Sequence, residues 1–391
     1  MKIRKLTKCF AFLTGLVFSL AAAAQTAVPS IPLQPIPTPA APELAAPSYI
    51  LMDFHSGAVL AAKNPDEKRA PASLTKLMTE YIVFRELKAG NLQLSDLVTI
   101  SEKAWRAEGS RTFVEVGSKI PVEVLIKGLM IQSGNDASIA LAEHITGSEQ
   151  TFAQLMNQYA AHLGMQNTNF VNTTGLPHAD HYSTARDMAI LSVALIRDFP
   201  EYYKWHGEKQ FTWNDITQYN RNRMLWRDST VDGLKTGHTN AAGYCLASSA
   251  LRDNMRLVSV VLGSQSEKTR TDQTQALLNY GFRFFETHRL YEARKPITEP
   301  RIWKGDSELL PLGVNTDLWV TIPRQQYNKL EASMSVENMI SAPISAGTQL
   351  GRVVIRLGDD VLREAPLVAL STVEEGGIWR RIVDSILLRF Q

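Results

Sequence analysis

The stretch Ala72-Ser73-Leu74-Thr75-Lys76-Leu77-Met78 is the segment around which the fold is predicted to form. Pro71 and Ser73 lie where helix-start signals are expected. Apolar residues then recur at spacings of three and four, which predicts a helix with one buried face. These residues are Leu74, Leu77, Met78, Tyr81 and Ile82. Ser73 and Lys76 are one turn apart and therefore lie on the same side of the first turn.

This helix start could hold a nucleophile. A helix N-terminus supplies partial positive charge and free backbone N–H groups. The amine of Lys76 can take the hydroxyl proton of Ser73 if neighbouring cations lower the pKa of the lysine. Many solvated helices also begin with Ser and carry Lys one turn later, so this stretch alone leaves that simpler interpretation open.

Length and composition indicate an ordinary soluble protein. The chain has 391 residues, of which 45% are hydrophobic and 20% charged, and two domains are expected for this length. Its formal net charge is +2, but four of the 41 basic residues and none of the acidic ones precede Ala24. The remainder is close to neutral, which gives no electrostatic reason to expect nucleic acid as a partner.

The first 47 residues predict export. Basic residues, an apolar run from Phe10 to Leu20 and the small residues Ala21–Ala24 are typical of a signal peptide over residues 1–24. The run is too short to span a bilayer, and no later segment is long and apolar enough. Residues 25–47 are rich in Pro and Ala and predict an extended leader.

Cysteine usage predicts no internal disulfide. Cys9 leaves with the signal peptide, so Cys245 becomes the only cysteine of the exported protein. We expect Cys245 to be a small buried residue in a strand rather than a reactive thiol.

Three regions follow the leader. Residues 48–288 begin and end with strand-like runs, which predicts an α/β (α+β) domain whose sheet pairs the N-terminal hairpin with later strands. Helices are predicted at residues 122–131, 136–145, 151–163, 184–197 and 271–285. Residues 289–374 show short alternating runs typical of a small β-sandwich-like domain: Leu318, Val320 and Ile322; Leu330, Ala332 and Met334; Val353, Ile355 and Leu357. In residues 375–391, the segment Ile378–Phe390 is amphipathic, which favours a membrane-surface anchor. The alternative is a terminal helix docked on its own domain.

Three short motifs occur in order: Ser73-x-x-Lys76, Ser133-Gly134-Asn135 and Lys235-Thr236-Gly237. They are predicted to lie on a helix N-terminus, an interhelical loop and a strand. Each alone is a weak signal, since Ser-Gly-Asn could be a turn and Lys-Thr-Gly a strand end. Together they form the motif set of the active-site serine penicillin-recognising enzymes.

The chain resembles the low-molecular-mass penicillin-binding proteins of the 5/6-like type, which are serine-type D-alanyl-D-alanine carboxypeptidases with a C-terminal β domain. The resemblance spans the signal peptide, both domains and the terminal helix. It implies a penicillin-recognising transpeptidase/β-lactamase-like fold for residues 48–288. The segments that carry it are residues 71–79, 133–137, 183–188, 235–239 and 280–285.

The resemblance implies a role for each motif residue. Ser73 would be the nucleophile and Lys76 the general base, because no Glu-x-x-Leu-Asn motif supplies a carboxylate as in class A β-lactamases. Lys76 must then be neutral near pH 7, which a nearby Lys235 ammonium would favour by repulsion. Ser133 would relay a proton to the leaving amine, and Asn135 would hold the substrate's peptide group.

The same likeness implies an oxyanion hole and an anion-binding wall. The backbone N–H groups of Ser73 and His238 would form the oxyanion hole. A free substrate carboxylate needs cationic and hydroxyl donors. Lys235 and Thr236 would supply them, assisted by Arg221 and Arg270, although a surface salt bridge explains each arginine equally well. Gly237 would let an extended substrate lie against the strand. No cofactor is implied.

One rival site is a metal centre at His178-Ala179-Asp180-His181, because zinc peptidases cleave the same bond. The cluster follows Gly175-Leu176-Pro177, a loop composition, and lacks the helical His-x-x-x-His spacing. We therefore expect no metal there.

The expected function is removal of the terminal D-alanine from peptidoglycan stem pentapeptides, with β-lactam antibiotics as covalent inhibitors. The expected location is the periplasmic face of the cytoplasmic membrane. Two alternatives stay open: a DD-endopeptidase or weak β-lactamase that uses the same residues, and a non-catalytic cell-wall-binding scaffold that acts through the β domain.

Overall fold

The structure is a computed structural model that describes residues 38–388. The predicted signal peptide, Cys9 and residues 25–37 of the predicted leader lie outside the described residues. So do Arg389 and Phe390 at the end of the predicted terminal helix.

The first domain consists of a sheet and a set of helices. A 3-10 turn at Ala72–Thr75 precedes α1, a π-helical turn at Gly128–Gln132 follows α3, and a 3-10 turn at Lys204–Gly207 follows α7. In chain order the elements are β1 Ser48–Asp53, β2 Val59–Lys63, α1 Lys76–Ala89, β3 Leu97–Thr99, α2 Glu102–Trp105, β4 Lys119–Pro121, α3 Val122–Lys127, α4 Asn135–Thr146, α5 Glu149–Leu163, α6 Ala185–Asp198, α7 Pro200–Tyr203, β5 Gln210–Trp213, β6 Ile216–Tyr219, α8 Met224–Arg227, β7 Val231–Thr239, β8 Gly243–Arg252, β9 Met255–Ser264 and α9 Glu267–Phe284.

The main sheet joins the two sequence ends of the first domain, as predicted. Its five strands are antiparallel in the order β2-β1-β9-β8-β7. Because side chains alternate along a strand, β1 contributes to two cores. Ile50 and Met52 pack with the large helical layer, while Tyr49 and Leu51 pack with α9 on the opposite face. The sheet thus lies between two apolar layers, and β7 is an edge strand.

Helix α1 is buried on all sides, whereas the sequence predicted one buried face. All residues from Lys76 to Phe84 are buried, because α1 contacts α4, α5 and α6 and so forms the middle of the helical layer. The apolar face predicted from periodicity is present. The polar residues between its members are buried as well, and Lys76 and Glu80 are among them.

The prediction of an extended leader up to Pro47 was wrong for residues 38–47. Leu44 and Ala46 belong to the core beneath α9. The hydroxyl of Tyr280 donates to the Pro39 carbonyl at 3.0 Å, and the hydroxyl of Tyr49 donates to the Pro42 carbonyl at 3.2 Å. Proline-rich backbone can pack in this way because its carbonyls still accept hydrogen bonds.

The second domain is built from strands. Its elements are β10 Phe285–Tyr291, β11 Ile302–Trp303, β12 Leu312–Gly313, β13 Leu318–Pro323, β14 Leu330–Val336, β15 Ile340–Ser341, β16 Gln349–Leu357, β17 Asp360–Ala369 and the terminal helix α10 Ile378–Leu387. Strand β10 follows α9 directly and pairs with β13. The domain boundary therefore falls at Phe284, four residues before the predicted one.

The alternation predicted for the β domain holds for two of three strands. Leu318, Val320 and Ile322 are buried, as are Val353 and Ile355. In β14, by contrast, Ala332 and Met334 are exposed and Leu330 is only partly buried. The prediction of a buried face in β14, which is an edge strand of its sheet, was therefore wrong.

The terminal helix is docked by its polar side. The Asp384 carboxylate is buried and accepts from the Lys304 backbone N–H at 2.6 Å and from Arg301 at 3.3 Å. Arg380 donates to the Ser307 carbonyl at 2.9 Å. Its apolar side is exposed, including Trp379 at 82%. Among residues 38–388 there is no helix with both the length and the apolar character needed to cross a membrane.

Candidate active site

The three motifs converge on one cleft of about 870 Å³. Ser73 reaches it from the 3-10 turn before α1, Ser133 from the turn before α4, and Thr236 from the edge strand β7. Gly237, His238, Arg221 and Arg270 also line the cleft. The other three predicted site residues, Lys76, Asn135 and Lys235, are buried around it.

Lys76 is fully buried and contacts three oxygen atoms. Its Nζ donates to the Asn135 Oδ1 at 2.7 Å and to the Thr174 carbonyl at 2.6 Å, and it lies 3.2 Å from Ser73 Oγ. The first two oxygens can only accept hydrogen bonds. A neutral amine would therefore use its two N–H groups there and turn its lone pair towards the Ser73 hydroxyl. This arrangement suits a base that removes the proton of Ser73.

The electrostatic environment favours the neutral form of Lys76. Burial holds the pKa of Lys76 well below its usual range, and the Lys235 ammonium lowers it further. Burial likewise lowers the pKa of Lys235, to about 7. The dependence of Lys76 on Lys235 that the sequence suggested is therefore present, although burial is the larger cause.

Ser133 is held in a strained conformation. Its φ is +68°, in the left-handed region that residues other than glycine rarely adopt. Such a backbone conformation costs about 1–3 kcal/mol. Hydrogen bonds from the two residues that follow hold it there, from the Gly134 N–H to the Gly128 carbonyl and from the Asn135 N–H to the Ser110 carbonyl. Its Oγ makes no hydrogen bond within the described part of the chain, so the hydroxyl can interact with a ligand in the cleft.

Asp136 fixes the loop opposite Ser133 and was missed as a site residue. Its buried carboxylate accepts from the backbone N–H groups of Thr112 and Phe113 at 2.8–2.9 Å. Gly134 packs against the same loop, where an added Cβ would lie 2.2 Å from Thr112 Oγ1. The Ser-Gly-Asn turn therefore requires glycine for close packing. An acid directly after this motif was the available sequence signal.

The Thr174 carbonyl that binds Lys76 belongs to a tight loop. Asn172 Oδ1 accepts from the backbone N–H groups of Thr174 and Gly175 at 3.2 and 2.7 Å. Gly175 has a φ of +81°, and a Cβ there would lie 1.8 Å from the Ala72 carbonyl oxygen. Only glycine lets this loop approach the backbone next to the nucleophile.

Strand β7 passes close to the nucleophile. A Cβ on Gly237 would lie 3.1 Å from the backbone nitrogen of Ser73, so the absence of a side chain permits the contact. His238 follows on the strand, with its ring 4.0 Å from the ring of Tyr244. The backbone N–H groups of Ser73 and His238, which the family resemblance implied as an oxyanion hole, thus belong to adjoining segments.

The two predicted arginines differ in environment. Arg221 is exposed and lines the cleft. Arg270 is buried and donates to the carbonyls of Gly237 and Cys245 at 3.2 and 3.4 Å. Arg270 also lies 3.8 Å from the carboxylate of Glu267, so the salt bridge that the sequence left as an alternative is present beside the contacts to the strand. Cys245 is a buried free thiol, and burial raises its pKa to about 11.

The residues of the rival metal site form a structural element instead. The backbone N–H of Val171 donates to His181 Nδ1 at 3.1 Å, so the proton on Nε2 is directed to Thr75 Oγ1 at 2.8 Å. His178 and Asp180 are exposed, and residues 38–388 contain no cluster of His, Cys, Asp and Glu suited to a metal ion. His181 thus supports the loop behind the nucleophile.

Two further buried residues lie behind the site and were missed from the sequence. Glu80 follows Lys76 by one turn, and its Oε2 is 3.2 Å from Nε2 of His206. The Lys76-x-x-x-Glu80 spacing was visible in the sequence. Lys and Glu at that spacing on a helix would be expected to form an exposed ion pair. The burial of α1 excludes an exposed pair here.

Comparison with known proteins covers both domains. The family model "D-alanyl-D-alanine carboxypeptidase" matches residues 36–266, and the model "Penicillin-binding protein 5, C-terminal domain" matches residues 285–375. The D-alanyl-D-alanine carboxypeptidase DacC of Escherichia coli is 45% identical over 358 residues, which are 90% of this chain and 90% of DacC. The D-alanyl-D-alanine carboxypeptidase DacF of Bacillus subtilis is 36% identical over 85% of this chain and 87% of its own.

Comparison with solved structures also finds penicillin-binding proteins. Penicillin-binding protein 5 from Haemophilus influenzae aligns with a TM-score of 0.83 at 42% identity, covering 86% of this chain and 100% of its own. Penicillin-binding protein 6B from Escherichia coli aligns with a TM-score of 0.71 at 34% identity. The similarity therefore extends through both the α/β domain and the β domain.

Proposed function

This chain belongs to the serine-type D-alanyl-D-alanine carboxypeptidase family, and we propose that it removes the terminal D-alanine of peptidoglycan stem pentapeptides through an acyl-enzyme on Ser73. The observation that supports the chemistry is the buried contact between Lys76 Nζ and Ser73 Oγ at 3.2 Å. The Lys76 amine is fully buried, and its two acceptors leave its lone pair for the serine proton.

Acylation begins when Lys76 takes the proton of Ser73 and the Oγ atom attacks the carbonyl between the two D-alanines. The oxyanion that forms would be stabilised by the N–H groups of Ser73 and His238, each contributing about 3 kcal/mol. Ser133 then passes a proton to the leaving amine and receives in its place the proton that Lys76 took from Ser73, so Lys76 is neutral again. The terminal D-alanine departs, and an ester remains on Ser73. Water then hydrolyses this ester, which releases the shortened peptide and restores the Ser73 hydroxyl.

The C-terminal carboxylate of the substrate would be bound at β7. Thr236 supplies a hydroxyl, and Arg221, Arg270 and Lys235 supply positive charge around this end of the cleft. An anion there gains more from these donors than it would in water, because Lys235 and Arg270 are buried. β-Lactam antibiotics present a carboxylate next to a reactive amide and would acylate Ser73 by the same route.

The direct test is release of D-alanine from a peptide ending in D-Ala-D-Ala. The wild-type protein should release it and should be labelled by a fluorescent penicillin, and Ser73→Ala should do neither. Wild-type protein that is neither labelled nor active would disprove the proposal. Rapid hydrolysis of the penicilloyl-enzyme with little peptide turnover would instead support a β-lactamase, and cleavage of cross-linked peptides would support an endopeptidase.

We propose further that α10 binds a membrane surface and that the protein is exported to the outer side of the cytoplasmic membrane. Ile378 and Trp379 are 74% and 82% exposed on the side of the helix that faces away from its domain. Such an apolar face next to arginines is typical of interfacial helices. Export rests on the signal-like residues 1–24 and predicts a mature chain without them, which the mass of the protein from the cell envelope would check.

Cosedimentation with vesicles of phosphatidylethanolamine and phosphatidylglycerol tests the membrane proposal. Trp379→Ser should reduce binding, whereas Met339→Ser, which removes an apolar side chain 63% exposed on the β domain, should not. Equal binding of the two variants would contradict an anchor at α10.

A further inference from the structure

Two buried titratable residues, Glu80 and His206, lie behind the catalytic lysines. Glu80 is 1% exposed and His206 is 0% exposed. Neither carboxylate oxygen and neither ring nitrogen has a hydrogen-bond partner among the described residues. Glu80 Oε2 and His206 Nε2 are 3.2 Å apart, without the alignment of a hydrogen bond. Buried polar groups in native proteins are normally satisfied, so this pair needs a reason.

The position of the pair follows from how α1 lies along β7. Near one end of the strand, a Cβ on Gly237 would lie 3.1 Å from the Ser73 nitrogen. Four residues earlier in β7, a Cβ on Gly233 would lie 3.1 Å from Cβ of His206. Lys235 lies between these two glycines and shares a strand face with Gly237.

The same order is found on α1. Lys76 and Glu80 are one turn apart and lie on one side of the helix. Glu80 contacts His206, which packs against Gly233, while the 3-10 turn that leads into α1 packs against Gly237. Lys235 therefore faces the stretch of α1 that carries Lys76 and Glu80. Glu80 itself does not line the cleft, so it does not touch substrate.

The charges that act on the two catalytic lysines are mostly positive. Lys235 and Arg221 act on Lys76, and Arg221 and Arg270 act on Lys235. Asp136 on α4 also acts on Lys76, but its carboxylate is bound by the backbone N–H groups of the neighbouring loop. Burial lowers the pKa of Lys235, and Glu80 is the charge that opposes this lowering most strongly.

We propose that Glu80 is a positioning residue for the reaction: a buried counter-charge, set against His206, that keeps Lys235 protonated while Lys76 acts as the neutral base. Glu80 and Lys235 then balance each other, and the buried site carries no uncompensated lysine charge. The proposal explains how two buried lysines can hold different protonation states, one as base and one as ammonium. It rests on the roles proposed above for Lys76 and Lys235.

The test is the pH profile of Ser73 acylation by a fluorescent penicillin, measured as a second-order rate constant per titratable active site. Glu80→Gln keeps the shape of the side chain and removes its charge. Both limbs of the profile should move to lower pH, because Lys76 and Lys235 each lose an attractive charge. The alkaline limb should move by about one to two pH units, which slows acylation about 10- to 100-fold on that side of the optimum.

Matched variants separate this effect from a structural one. Glu86→Gln removes a partly exposed carboxylate from the same helix and should leave the profile unchanged. Glu80→Asp keeps the carboxylate but shortens the side chain, which moves the charge away from Lys235. Its pH profile should therefore lie between those of the wild type and Glu80→Gln. A merely structural role would lower the melting temperature or the active fraction without moving either limb, and that result overturns the proposal.

The outcomes remain distinct if Glu80→Gln does not fold. Glu80→Asp then carries the test, and an alkaline limb that coincides with the wild type overturns the inference. Wild-type protein that no penicillin acylates would contradict the proposed function itself. Wild-type acylation together with unshifted limbs in the Glu80 variants would contradict only the role of Glu80.

Discussion

Helices α1 and α10 differ in which of their charged and apolar side chains are buried. Helix α1 buries every residue from Lys76 to Phe84, including a lysine and a glutamate. Helix α10 exposes most of its apolar residues and buries one acid, Asp384. In α1 the apolar residues hold the helix in place and the buried charges serve chemistry. In α10 the buried charge holds the helix in place and the apolar residues are exposed.

The buried charged groups of the two helices also differ in the hydrogen bonds that they make. Asp384 accepts from the Lys304 N–H and from Arg301, so its burial is compensated by hydrogen bonds. Lys76 makes two short bonds and a longer one to Ser73, and Glu80 makes none among the described residues. The hydrogen bonds of Asp384 fix α10 on its domain, whereas the contacts of Lys76 lead to the nucleophile.

The largest effect is expected from removing the base in α1. Lys76→Met should slow acylation of Ser73 by about 10²–10⁴-fold, the usual contribution of a general base, because the serine proton has no acceptor. The melting temperature should change little, because an apolar side chain of similar length fills a buried site. Unchanged acylation would show that Lys76 is structural, like Asp384, and would remove the contrast between the two helices.

The next effect concerns the backbone contact that supports α1. Gly175→Ala should cost roughly 3 kcal/mol of stability and slow acylation, because its Cβ would lie 1.8 Å from the Ala72 carbonyl oxygen. Gly147 is the matched control, with a φ of +79° and no atom within 4 Å of an added Cβ. Gly147→Ala should cost about 1 kcal/mol with acylation unchanged. Equal effects on acylation would mean that the close approach at Gly175 does not position the nucleophile.

A smaller effect, about tenfold per pH unit on each limb, is expected from titration. Burial holds the pKa of Lys76 well below its usual range, so acylation should rise as the pH rises through that pKa and Lys76 becomes neutral. It should fall as the pH rises through the lowered pKa of Lys235, where the ammonium is lost. The rate of acylation by penicillin, measured as a function of pH, tests both the rise and the fall. A rate that still rises at a pH of about 10.4, the value for a free lysine, would contradict the environment described for α1.

The smallest effect is expected at the anchor of α10. Asp384→Asn should weaken docking by about 1 kcal/mol, because a neutral amide is a poorer acceptor for the Lys304 N–H and for Arg301. Amide hydrogen exchange within α10 should become faster, while acylation by penicillin stays the same. Asp359→Asn, at an exposed turn of the β domain, is the control. Slower acylation in Asp384→Asn would couple the two helices, which the structure gives no reason to expect.

Much of the fold could be predicted because it depends on local patterns. The hairpin of β1 and β2, the helices α4, α5, α6 and α9, and the inward faces of β13 and β16 all followed from periodicity and turn residues. The errors have one physical cause, which is burial by distant segments. Residues 38–47 gained partners from α9, whereas Ala332 and Met334 of β14 are exposed although their alternation predicted burial.

The residues of the candidate active site likewise fall into those that the sequence predicted and those that it did not. Motif residues such as Ser73, Ser133 and Lys235 were predicted because acyl transfer requires specific side chains at recognisable spacings. Glu80, Asp136 and the Thr174 carbonyl were missed. Their importance comes from which atoms they face, and no spacing along the chain records that.

The sequence by itself determined which chemical groups are present and which local elements carry them, because periodicity and side-chain chemistry are properties of short segments. Only the tertiary structure decided that α1 is enclosed on every side. That enclosure removes water from Lys76 and Lys235, sets Glu80 beside them and makes their protonation depend on one another. Charge energies in a protein follow burial and distance in space, and folding alone sets both.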